Sequence, residues 1–162
     1  DNAQGEWISF VDADDLVEEN YIAELLGSVK NDGSLVVSGL KKEKNGIVID
    51  CVEFSNEVID KSDIEVLFGE RKIFEYGYPF SKLYRAQILK DNNIRFNKDV
   101  HYAEDLLFLL EYLLYIDNIV FSDKCNYIYK VLSLTNQYMI VESDFHGSIN
   151  KTKTTCIFIN QF

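Results

Sequence analysis

The chain has 162 residues, 47% of them apolar and 27% charged, which suits one globular domain with a real core and argues against wholesale disorder. Its net charge of −11 argues against a surface that tracks nucleic-acid phosphates and against simple docking on anionic lipid. The one dense basic stretch, Lys41-Lys42-Glu43-Lys44, reads as a hairpin tip.

The elements follow in order. Trp7-Ile8-Ser9-Phe10-Val11 is a nearly continuous, β-favouring apolar run ended by acids, the pattern of a central strand buried on both faces. Residues 20–30 predict a helix, with Asn20 as cap and Ile22, Leu25, Leu26 and Val29 as its apolar stripe. Residues 35–39 read as the next strand, and 47–49 pair back across Asn45-Gly46, a favoured hairpin turn. Ser62-Asp63-Ile64-Glu65 is a capping box opening a short helix through Phe68. Residues 75–81 are an aromatic loop, 82–90 a predicted helix, and 94–96 a short extended piece. Residues 104–115 form a helix apolar on almost every side, expected to be buried. Residues 119–121 and 126–131 are strand candidates, and 156–162 suit a strand or part of a helix. Alternating strands and helices that later mix predict an α/β sheet with added antiparallel strands.

Three cysteines, Cys51, Cys125 and Cys156, stand far apart without a CxxC or Cys/His cluster, so free thiols in a reducing compartment are expected. The longest apolar run, 106–116, falls short of the roughly 20 residues that span a bilayer. Glu111 interrupts it, and no signal peptide is evident. The chain opens without Met, on Asp1-Asn2-Ala3-Gln4-Gly5, and enters a buried strand almost at once, which reads as a truncated start.

Two acid sets carry the chemistry. Asp12, Asp14 and Asp15 follow directly after the first strand, where open α/β sheets bind ligands. Crowded carboxylates call for a cation, and hard divalent ions take oxygen ligands, with a diphosphate as a good co-ligand. The bland alternative is a solvated acidic turn. An EF-hand loop would need Gly and Glu where Val17 and Ala23 stand, and a DxDx(T/V) phosphatase would need Thr or Val in place of Leu16. Glu104-Asp105 opens the later helix, where free N–H groups and the helix dipole are expected to keep a carboxylate ionised and fit to accept a proton. Ordinary capping is the bland alternative.

Gly5-Glu6-Trp7-Ile8-Ser9-Phe10-Val11-Asp12-Ala13-Asp14-Asp15 resembles the "G-E-Y-I-x-F-L-D-x-D-D" segment of family 2 glycosyltransferases of GT-A fold. Three more segments match bacterial members, in the family's order. Pro79-Phe80-Ser81-Lys82-Leu83-Tyr84-Arg85 is similar to "W/P-x-K-L-Y/F-R", and Asn93-Ile94-Arg95-Phe96 to "x-G/N-I-x-F". Tyr127-Ile128-Tyr129-Lys130 followed by Ser133-Leu134-Thr135-Asn136 is similar to "Y-x-Y-R…S-L/I-T", with Lys130 for the usual Arg, which weakens a bidentate phosphate clamp there.

The resemblance implies a GT-A-like mixed sheet flanked by helices. Residues 1–136 would be the C-terminal part of a catalytic domain lacking the first nucleotide-binding strands, and 137–162 an extension of uncertain structure. It implies donor binding by Asp12, Asp14 and Asp15, with Asp12 and Asp14 holding Mg²⁺ or Mn²⁺. Asp105 would be the catalytic base, and Glu104 would help hold the acceptor or its loop. Lys82 is a candidate for facing the donor phosphates. His146 is a weaker metal candidate, and His101 is near enough to Glu104 to touch an acceptor. The function implied is inverting, metal-dependent transfer from a UDP-sugar to a glycan or other hydroxyl acceptor. The setting implied is bacterial surface polysaccharide synthesis in the cytoplasm, at the inner face of the membrane, with any membrane attachment running through segments outside this chain. A second reading is a truncated, non-catalytic module that binds a glycan or protein, with an exposed sheet edge open to oligomers. A DxD phosphatase or nucleotidyltransferase explains neither Glu104-Asp105 nor the segment at 82–84.

Overall fold

The computed structural model describes residues 3–71, 73–131 and, as backbone, 154–159. Strand β1 is Trp7–Asp12, β2 Leu16–Val17, helix α1 Tyr21–Ser28, β3 Ser34–Lys44, β4 Ile47–Val52 and β5 Glu57–Asp60. There follow α2 (Glu65–Phe68), β6 (Lys82–Arg85), α3 (Ala86–Asp91), α4 (Glu104–Leu113), β7 (Asn118–Lys130) and β8 (Thr154–Ile159).

The strands form one eight-stranded mixed sheet in the order β2-β7-β3-β6-β1-β8, with β4 on β3 and β5 on β7. Among the described pairs of named strands β3 and β7 run parallel and the others antiparallel. The apolar run of β1 explains its place. Ile8 and Phe10 enter one core with residues of α3 and α4, whereas Trp7 and Val11 enter a second core with Tyr21 and Leu25 of α1. Strand β3 divides the same way, Leu35 and Val37 against Val36 and Leu40. A sheet with helices on both faces needs such double-sided apolar strands. The β3–β4 hairpin turns at Asn45 (φ +53°) and Gly46 (φ +81°), the left-handed pair that the Asn-Gly dipeptide favours.

Three expectations change. Residues 82–90 are not one helix: 82–85 form β6, which joins β1 to β3, and only Ala86–Asp91 is helical. The Leu83 and Tyr84 side chains, 0% exposed, go to opposite faces of the sheet, so burial on both sides outweighed helix propensity. The capping box does not form; Lys61–Asp63 is a 3₁₀ turn, held by Lys61 N–H on Asp117 C=O (2.8 Å) and Lys61 Nζ on Leu114 C=O (2.6 Å). The two late strands are one, β7, irregular in register opposite Gly39. Strand β8 pairs β1 from Trp7 to Asp12 and is the last strand on that side of the sheet. Helix α4 is buried mainly through Phe108, Leu109, Tyr112 and Leu113, while Leu114 beyond its end is 64% exposed. Residues 132–153 and 160–162, with Ser133-Leu134-Thr135-Asn136, His146 and most of the expected extension, lie outside the described residues.

Candidate active site

Strand β1 delivers Asp12 half-buried at its end, and Ala13 and Asp14 form an exposed turn. Asp15 N–H closes that turn on Asp12 C=O at 3.1 Å. The three acids then part ways. Asp15 is buried and both its oxygens are used: Oδ2 accepts from Tyr127 Oη (2.7 Å) and Oδ1 from Lys130 N–H (2.8 Å). Tyr127 Oη in turn accepts from Asp12 N–H at 3.1 Å. Asp15 thus ties the acidic turn to β7. Among the described residues, no hydrogen bond reaches the carboxylates of Asp12 and Asp14.

The charges answer to this packing. Asp12 is pushed up to about 6, first by burial, then by Asp15, Asp14 and Asp105. Asp15 is raised by burial, against the pull of its bonds from Tyr127 and Lys130. The Asp105 contribution at Asp12 puts the two acid sets within electrostatic reach of one another, 93 positions apart in sequence (105 − 12).

Glu104 and Asp105 open α4 behind Ala103, which is left-handed at φ +58°. A non-glycine residue held there stores about 1 kcal/mol or more of strain. No side-chain cap bond is made at this end. Asp105 is raised, by burial first and by Glu104 second, with Lys82 pulling it down. The helix start was expected to favour ionisation; burial and the adjacent acid reverse that direction. A carboxylate raised toward neutral pH accepts a proton more readily than an ordinary one.

Lys82 is not turned toward a donor. It is 0% exposed, and its Nζ donates to the carbonyls of Tyr76 (2.9 Å), Tyr78 (2.7 Å) and Phe80 (3.4 Å). Three donors meet three acceptors, so the ammonium is spent inside the aromatic loop. Burial pushes it down to about 7, with Asp105 opposing. Lys130 Nζ is likewise engaged, by Glu43. His101 is exposed, and Trp7 is a core residue under the Arg85 guanidinium.

Sequence reasoning assigned no role to the tyrosines of β7. Tyr127 stacks on Phe80 (4.7 Å between ring centres), Phe80 stacks on Tyr78 (4.2 Å), and Tyr129 lies near-parallel to Phe80 (5.9 Å). The Tyr-x-Tyr spacing puts both rings on one face of a strand, which was the available signal. Tyr129 is raised by burial and then by Asp15, Asp14 and Asp12, so it borders the acidic turn. Among the described residues no three His, Cys, Asp or Glu side chains come together as a complete metal set.

No protein-family model matches the chain. It is 28% identical over 151 residues to the poly(ribitol-phosphate) beta-N-acetylglucosaminyltransferase TarP of Staphylococcus aureus (strain N315), covering 93% of this chain and 42% of that one. It is 30% identical over 126 residues to TarS of S. aureus (strain Mu50), covering 77% and 21%. A poly(ribitol-phosphate) beta-glucosyltransferase of Bacillus spizizenii is 29% identical over 133 residues, covering 80% and 19%. The chain therefore spans less than half the length of these relatives. Among solved structures, S. aureus TarS 1–349 in complex with UDP-GlcNAc superposes with a TM-score of 0.62 at 23% identity, covering 81% of this chain and 36% of that one. TarS itself gives 0.61 at 22%, covering 93% and 26%.

Proposed function

We propose that this chain, which is similar over most of its length to the TarP and TarS glycosyltransferases, belongs to the family 2 type with the GT-A fold and carries the acid-bearing part of a site that moves a sugar from a nucleotide diphosphate to a hydroxyl acceptor. One observation carries the reading: the free carboxylate of Asp12 at the end of β1 feels Asp105 at the start of α4. Donor acids and a proton acceptor then stand within electrostatic reach of one another.

The donor is a UDP-sugar, the class that TarS is described with. Asp12 and Asp14 suit Mg²⁺ or Mn²⁺ because their carboxylates are unspent, whereas both oxygens of Asp15 are taken. Mg²⁺ is usually held by one or two carboxylates plus substrate phosphates, so an incomplete protein ligand set fits this use. When bound, the ion would neutralise charge developing on the departing diphosphate. Asp105 takes the acceptor hydroxyl's proton as that oxygen bonds to the anomeric carbon. The bond from that carbon to the diphosphate breaks, and the configuration inverts. Glu104 orients the acceptor or its loop, and Asp15 holds the donor turn in place. The relatives' names point to a polyol-phosphate or related bacterial surface polymer as acceptor. No helix among the described residues is long and apolar enough to cross a membrane. We place the reaction on the cytoplasmic side, where nucleotide sugars are made.

Calorimetry of the whole protein with UDP, with and without Mn²⁺, tests the donor half. Metal-dependent heat that is lost in Asp12→Asn/Asp14→Asn is expected. If UDP gives no metal-dependent signal and no UDP-sugar is consumed, the chain is instead a non-catalytic module for a glycan or protein partner.

A further inference from the structure

The buried ammonium of Lys82 takes no part in the chemistry above, yet it acts on Asp105 and holds the loop that packs beside it. We propose that Lys82 is a positioning residue that locks the loop at 76–80 so that the donor turn and the start of α4 hold a fixed mutual placement. The proposal rests on the glycosyltransferase reading for its catalytic consequence.

The contacts run outward from one nitrogen. The Lys82 backbone is fixed: its carbonyl accepts from Ser9 Oγ of β1 (2.8 Å), and it pairs with Val37 of β3. Just before it, Ser81 is buried and left-handed (φ +56°), with Oγ on the carbonyls of Ser38 and Gly39, both at 2.9 Å. From this anchor, Nζ gathers the carbonyls of Tyr76, Tyr78 and Phe80 and sits 4.2 Å from the centre of the Tyr78 ring. A buried cation with its hydrogen bonds satisfied is costly to replace, because each carbonyl would lose its partner away from water.

The loop it gathers has two outer faces. On one, Gly77 abuts the first turn of α4; a Cβ there would lie 3.0 Å from Leu106, the neighbour of Asp105. On the other, Tyr78 stacks on Phe80 and Phe80 on Tyr127, whose hydroxyl bridges Asp12 N–H and the Asp15 carboxylate. Lys82 therefore reaches Asp105 through Gly77 and Leu106, and Asp12 through a ring stack. Its charge also acts on Asp105 directly, opposing the effects of burial and Glu104.

Lys82→Met in the whole protein keeps the length of the side chain and removes the ammonium. Amide hydrogen exchange should quicken at 76–80 together with 13–15 and 103–107, while the β3–β7 ladder stays protected. kcat should fall about 10–100-fold, the loss that small misplacement of reacting groups gives, with the donor KM nearly unchanged. The acid limb of kcat should move to higher pH, because a charge that lowers Asp105 is gone. Gly77→Ala should lower kcat without moving that limb. Unchanged exchange, kcat and acid limb in Lys82→Met would overturn the proposal, as would a uniform loss of protection over the whole sheet, which marks an ordinary core residue. Should Lys82→Met fail to fold, a folded Gly77→Ala with wild-type kcat overturns it. A wild-type protein inactive with every UDP-sugar refutes the glycosyltransferase reading, and the exchange measurement still decides the role of Lys82.

Discussion

Asp105 and Asp15 are both raised by burial, but their surroundings give them different work. Asp105 has no hydrogen-bonding partner on its carboxylate among the described residues and stays available to a substrate hydroxyl. Asp15 accepts from Tyr127 and Lys130 and serves as a brace. Asp105→Asn should lower transfer by about 10²–10⁴-fold, the span of general-base catalysis, while metal-dependent UDP binding persists. A single-turnover assay beside calorimetry checks this, and near-normal turnover would end the base assignment. The base works only when ionised and its carboxyl is raised. Activity should thus fall on acidification at a pH above the ordinary carboxylate range of about 4. Tyr127→Phe removes one partner of a buried carboxylate and should cost about 1–3 kcal/mol in urea unfolding. Tyr84→Phe should be neutral or stabilising by up to about 1 kcal/mol, since its buried hydroxyl has no partner among the described residues.

At the scale of elements, the close approach of β3, β4 and β7 needs a residue without a side chain. A Cβ on Gly39 would meet Val52 C=O at 2.3 Å and Cys125 Sγ at 2.4 Å, at the point where the β3–β7 register shifts. Gly39→Ala should therefore cost about 1–3 kcal/mol, the range for an overfilled site, read as a lowered unfolding midpoint. The same irregularity turns the second half of β7 so that Tyr127 meets Leu40 and Lys130 meets Glu43. The acidic turn is fastened through that half. The strained Ala103 does the corresponding job for α4, setting where the helix begins and hence where Glu104 and Asp105 stand.

For the whole molecule, β8 covers the β1 edge and is the last strand on that side of the sheet. An uncovered strand edge is a template for another chain. Deleting residues 154–162 should produce self-association that rises with concentration, seen by sedimentation or size-exclusion chromatography. A strictly monomeric deletion variant would mean that β1 needs no such cover. Electrostatics also act at this scale: Asp14, Asp15 and Asp105 all act on Asp12, and Glu104 acts on Asp105, in a chain already at −11. Such a concentration of charge is relieved by a cation and is hostile to a free polyanion.

Local chemistry determined much of this protein from sequence alone. The nearly continuous apolar run before Asp12 required a strand buried on both faces, and Asn45-Gly46 required a tight hairpin. The two acid sets stood out because their residue types have few uses after a strand or before a helix. What the sequence left open depends on long-range contact. Residues 82–85 have helix-compatible composition, and only their burial between β1 and β3 makes them a strand. The direction of the Asp105 shift depends on how much water the fold removes and on Lys82, 23 positions away (105 − 82). The Tyr127 hydroxyl acquires meaning only when β7 returns beside the acidic turn, 112 positions after Asp15. Periodicity and residue type are local and can be read along the chain. Burial, partner choice and the sum of nearby charges belong to the folded arrangement, and they separated the free acids from the brace and turned Lys82 inward.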